Sequence, residues 1–170
     1  MTFQLNKDKA IATLLYVINN LTNADMYKTL KIIYFAEKMH IARYGRPILA
    51  DSYIKVEHGP MPSFLKDVVD GKINQLSSLV DKKGYTLSTS HDSDIDELSE
   101  SDIECLNESI DINKNLNFSQ LKSKSHDSAY DKANWEIDYI DIAKAAGVAD
   151  RDIPYIQNQI ENDELARLWV

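Results

Sequence analysis

The segment ADMYKTLKIIYFAEKMHIARYG, Ala24 to Gly45, constrains the fold more than any other. It reads as one long helix, closed by Gly45 and stopped by Pro47. Met26, Leu30, Ile33, Tyr34 and Ile41 form one apolar arc, and Ile32, Phe35, Ala36 and Met39 cover much of the remaining circumference. A helix that is apolar nearly all round has no face left for water, so it is a buried, central one. The rest of the chain must wrap around it.

What precedes and follows supplies the wrapping. NKDKAIATLLYVINNL predicts a first helix capped by Asn6, with Ile11, Leu14, Leu15, Ile18 and Leu21 on one face. Asn23 is the expected cap of the central helix. Ser52 to Glu57 alternates, Ile54 and Val56 against Tyr53, Lys55 and Glu57, as a half-buried strand does. Pro62 suits the first turn of a third helix ending at Gly71, and Gly84 to Ser88 predicts a second strand paired with the first. Ser88 to Glu97 is polar, acidic and aperiodic, a surface loop. Further helices are expected from Leu98 to Ile110 (capped by Ser99 or Ser101), over Phe118 to Ser125 and Tyr139 to Ala146, and after Asp152, where Ile153, Ile156 and Ile160 form a stripe. The expected fold class is mainly α with a small β-element (α+β): a compact helical domain around a central buried helix, with a short two- or three-stranded antiparallel sheet.

Bulk properties bound the function. A length of 170 residues is that of one domain, and the apolar and charged fractions of 44% and 27% are those of an ordinary soluble protein. No apolar run reaches the length of a membrane span. The lone Cys105 excludes an internal disulfide and a cysteine-based zinc site and fits a reducing cytoplasm. A formal charge of −8 without a basic run argues against nucleic-acid binding, which needs clustered Lys and Arg to neutralise phosphates.

Few residues carry chemistry. Glu37 falls in the middle of the apolar arc, with His40 one turn on; a carboxylate there must be paired, and Arg43, Arg46, His40 and His58 are the candidate partners. Two readings stand: a structural polar pair of Glu37 with His40 and Arg46 that fastens the Gly45–Pro47 turn, or a general acid or base with a raised pKa. Glu37 and His40 match half of a di-iron motif, but such sites need a second copy, so no metal and no cofactor are expected. There is no nucleophile elbow and no phosphate-binding glycine loop. The turns around Pro47 and Pro60 are stiff, and Gly59-Pro60 sets His58 and Met61 on a rigid corner. Such stiffness suits catalysis, and it also lowers the entropy lost on docking a partner.

The order and spacing of these features resemble a known family. Leu30-Lys31-Ile32-Ile33-Tyr34-Phe35-Ala36-Glu37, His40, Tyr44-Gly45-Arg46-Pro47-Ile48, Asp51-Ser52-Tyr53 and His58-Gly59-Pro60-Met61-Pro62 are similar to the Panacea domain, also called the SocA-like antitoxin domain. The likeness is strongest over 14–69 and extends to 133, within one domain of 1–170 whose segment 134–170 is more individual. Where the family commonly has a Pro-Trp pair, this chain has Ala129-Tyr130.

The resemblance implies a bacterial or prophage-encoded antitoxin, one half of a toxin–antitoxin system, that neutralises a cognate toxin by direct contact in the cytoplasm and is not an enzyme. A protease or chaperone as a further partner stays open. Tyr44, Arg46, Tyr53, His58, Met61, Phe64 and Trp169 are the candidate contacts, since aromatic and Arg side chains carry much of interface energy. The alternatives are a small hydrolase or transferase centred on Glu37, His40, Arg46 and His58, or an adaptor that delivers a partner to a protease.

Overall fold

A computed structural model of the chain describes residues 3–169. Helix α1 (Lys7–Asn19) starts where the Asn6 side chain accepts the Lys9 amide at 3.0 Å. Helix α2 (Met26–Tyr44) starts where Asp25, not Asn23, accepts the Lys28 amide at 2.8 Å. The later start has a physical cause. Leu87 N–H donates to Ala24 at 2.8 Å and Met26 N–H to Tyr85 at 2.7 Å, which holds the chain extended until Asp25.

Helix α2 is the axis, as its sequence predicts. It meets α1, α4 (Glu100–Asn113), α5 (Phe118–Ser125) and α7 (Tyr139–Ala145). Leu30, Ile32, Ile33 and Ala36 join a core with α1 and α4; Tyr34, Phe35 and Ile41 join a second core with α7 and with Ile153, Ile156 and Ile160 of α8 (Ile153–Leu168). Two capping boxes, Ser99 with Asp102 and Asn117 with Gln120, set the starts of α4 and α5. Asp152 stands at the cap position of α8 but its side chain makes no capping bond.

The β-structure is two separate hairpins. Strand β1 (Tyr53–Val56) pairs with β2 (Gly59–Pro62) in antiparallel register from Tyr53↔Pro62 to Val56↔Gly59. The proline stretch, expected as a turn, is therefore itself a strand. Proline φ suits an extended chain, and its missing N–H is tolerated on a sheet edge. The other edge of β1 is covered by 135–137, with Lys55 N–H donating to Trp135 at 2.6 Å and Ile137 N–H to Tyr53 at 2.8 Å. Thr86–Ser88 (β4) does not pair with β1 as expected; it folds back on β3 (Asp81–Lys83) across a tight local link. The third helix, α3 (Ser63–Val69), begins one residue after Pro62, and the buried Asp51 accepts its Phe64 and Leu65 amides at 3.0 Å each. The short α6 (Ser128–Lys132) follows α5. Among the described residues, no helix is long and apolar enough to cross a membrane.

Candidate protein-binding surface

Two loops that α2 fastens make up the site. The first is 45–50. Glu37 is fully buried, and its carboxylate accepts the Ile48 amide and the Ala50 amide, the latter at 3.1 Å. This corrects the expected partnership: among the described residues, no cation pairs with Glu37. Its two oxygens need two donors, and loop amides that have no helix or strand to pair with supply them. Burial pushes the carboxyl up to about 7, against the pull of those amides.

His40, one turn on, also holds this loop. Its Nδ1 donates to the Arg46 carbonyl at 2.7 Å, and its Nε2 faces Ser101 Oγ at 2.9 Å and Asp102 Oδ1 at 3.2 Å. Burial lowers its pKa, while the Arg46 carbonyl and Asp102 work the other way. The Arg46 guanidinium reaches Ser101 Oγ at 3.4 Å and Asp102 Oδ1 at 3.8 Å, and Lys9 Nζ bonds Asp102 at 2.6 Å. His40 and Arg46 thus form one cluster, and Glu37 serves the same loop by a separate route.

The second loop is the β1–β2 hairpin, clasped by side chains that bond its carbonyls. Tyr27 Oη donates to His58 at 2.6 Å, Tyr130 Oη to Val56 at 2.6 Å, and Lys31 Nζ to Pro60 at 2.5 Å. Lys31 is fully buried, and desolvation pulls its ammonium down to about 7, opposed by Asp127. Gly59 makes this approach possible: its φ is +109°, and a Cβ there would strike Ser125 Oγ and Lys31 Nζ. Tyr130, in the place where the family commonly has Trp, stacks on His126 at 4.2 Å and spends its hydroxyl on the hairpin.

At the hairpin tip the exposed His58 ring packs edge-on against Phe118 at 5.2 Å, and Phe118 packs on Tyr27 at 4.4 Å. Phe118 remains 48% exposed. It was missed in the sequence because it opens a predicted helix, where an aromatic reads as core.

The other predicted contacts divide. Tyr44 is 38% exposed, packs tilted against the His40 ring at 4.8 Å and donates to Glu104 at 2.9 Å; Trp169 is 89% exposed at the end of α8. Phe64 is half-buried under Lys7, whose Nζ lies 5.9 Å from its ring. Tyr53 and Met61 are corrections. Tyr53 is 0% exposed and packs against Tyr34 and Tyr139, and Met61 is 7% exposed in the first core. The hairpin is covered on both faces: Tyr53 enters the second core, and Met61, paired with Ile54 on the opposite face, enters the first, so the folded surface offers neither.

The four groups of the enzyme alternative do not come together. Glu37 and His40 are sealed, Arg46 lies beside Asp102, and His58 packs on Phe118 at the hairpin tip. What remains is a mainly α-helical domain whose small β-element is held as a fixed platform. The family model for the antitoxin SocA-like, Panacea domain matches residues 30–132, and the chain belongs to that family. No curated protein and no solved structure matches it. The matched region holds α2 from Leu30 on, both hairpins and the helices through α6. Membership supports an antitoxin-like, non-enzymatic role with a toxin as the kind of partner.

Proposed function

We propose that the chain is a cytoplasmic antitoxin that neutralises a cognate toxin by stoichiometric contact through the β1–β2 tip and its surroundings. The observation that carries this reading is the clasp: Tyr27, Lys31 and Tyr130 each bond a hairpin carbonyl, so His58 and Phe118 are presented with little conformational freedom left to lose. Tyr44 and Arg46, at the opposite end of α2, and Trp169, at the end of α8, are separate exposed candidates. A catalytic role has weaker support, because the acid and the imidazole it would use are enclosed and occupied by backbone groups.

The experiment is co-expression with the product of the adjacent gene. Growth should stop with that product alone and recover with this chain beside it. The double variant His58→Ala, Phe118→Ser should lose the rescue with an unchanged melting temperature. A neighbour that is harmless alone, or full rescue by the double variant, contradicts the reading. Measuring the half-life of the partner in the same cells separates an adaptor, which would shorten it, from an occluding antitoxin, which would not.

A further inference from the structure

An acidic chain carries, among its described residues, a groove lined by the opposite sign. Phe35, Lys38, Met39, Ala42 and Arg43 of α2 face Lys124 of α5 and the Ala145-Ala146 end of α7 across a trough of about 360 Å³. The α2 residues follow a spacing of three and four, one helical stripe about two turns long. Its floor is apolar and its small alanines admit close backbone approach. Three cations line it and no carboxylate does.

The charges at the rim are unevenly matched. Lys38 is held by Asp127 at 2.6 Å, and Arg43 by Glu104 at 3.1 Å and Glu108 at 2.7 Å, acids that stand outside the trough. Lys124 has a neutral acceptor, Asn113 Oδ1 at 2.5 Å, and lies over the Phe35 ring at 4.5 Å. Burial and the neighbouring Lys38 both lower its pKa, which is what an ammonium short of counter-charge beside another ammonium experiences. A carboxylate arriving at this rim would relieve that repulsion.

We propose that this trough takes an acidic amphipathic helix of a partner protein, its apolar side chains on Met39, Ala42 and Ala145 and a carboxylate against Lys124. The inference rests on the reading that the chain binds a partner protein, and it adds a second face and the chemistry of the segment seated there. A helix fits because the trough is open along α2 and matches the i, i+3, i+4 anchors of helix-in-groove recognition. Nucleic acid fits less well, since it needs clustered unpaired cations, whereas two of the three here are already paired and the floor between them is apolar.

The probe is a capped peptide of about 14 residues, long enough to hold a helix, with Leu at spacings of three and four and Glu elsewhere. Its twin carries Lys in place of Glu. The wild-type chain should bind the Glu peptide about tenfold more tightly than its twin, with backbone resonance shifts confined to Phe35–Arg43, Lys124 and Ala145-Ala146. Lys124→Glu should abolish or reverse that preference. Ala42→Glu, on an exposed helix position, should weaken the Glu peptide without lowering the melting temperature. Equal binding of the two peptides, no binding, or shifts elsewhere overturns the inference. A chain that rescues growth but ignores the probe keeps the antitoxin reading and loses this one; a chain that binds the probe but does not rescue does the reverse.

Discussion

Helix α2 buries one carboxylate and one ammonium, and the two sites solve the same problem with opposite charges. Glu37 accepts two loop amides and fastens 45–50; Lys31 donates to the Pro60 carbonyl and fastens the β1–β2 hairpin. Among the described residues neither forms an ion pair, although Asp127 acts on Lys31 from a distance. Each is desolvated until its pKa moves to about 7, the acid from below and the base from above. The difference lies in what surrounds them. Glu37 sits in a sealed core among Tyr53, Tyr139 and Asp51, whereas Lys31 lies beneath a strand and against the Tyr27 ring, 5.1 Å from its centroid. A buried ion of either sign can therefore be a fastening for backbone, and an ionisable residue inside a helical axis need not signal catalysis.

The comparison breaks most severely at Glu37. Glu37→Leu leaves two buried amides without an acceptor, and should destabilise the chain by about 4 kcal/mol in chemical denaturation; a loss below about 1 kcal/mol would mean that the loop is held by something else. Gly59→Ala comes next. It forces a side chain into a left-handed position and against Lys31 and Ser125, at about 3 kcal/mol, whereas Gly84→Ala in the other hairpin meets no neighbour and should cost about 1 kcal/mol. Equal effects of the two would deny the clasp. Lys31→Met removes the donor to Pro60 but also removes a desolvated charge, so about 1 kcal/mol is expected.

The finest distinction is in pH. Between the ordinary 4.5 of Glu37 and its raised value near 7, the folded chain holds a proton that the unfolded chain has released, so this group's contribution falls as pH rises. Between about 7 and the ordinary 10.5 of Lys31, the unfolded chain holds the extra proton, so that contribution rises with pH. Relative to wild type, Glu37→Gln should remove the slope below neutrality and Lys31→Met the slope above it, each at most about 1.4 kcal/mol per pH unit. Unfolding curves collected across that range decide it; parallel profiles for wild type and either variant would contradict that assignment.

Much of this was legible in the sequence. The apolar circumference of α2, the caps at Asn6 and Ser99 and the bounds of α5 follow from period and capping chemistry, and Glu37 stood out on its apolar arc. Its partners did not, because backbone amides of a loop leave no mark in residue identity. The strand over Gly59–Pro62 was hidden by two prolines that ordinarily mark a turn. Lys31 is equally legible. It lies between Tyr27 and Phe35 at intervals of four, on the same all-apolar helix, so like Glu37 it must find a partner inside the fold. The tip pairing of His58 with Phe118 joins residues far apart in the chain and required the fold.

A heteronuclear NMR titration of chain labelled at the glutamate carboxyl carbons and lysine amine nitrogens tests the central claim most directly. Backbone fastening of both loops by desolvated charges predicts that Glu37 and Lys31 each titrate near pH 7. Midpoints at the ordinary values, near 4.5 for Glu37 and 10.5 for Lys31, would show both groups in water or beside a counter-charge and would contradict it.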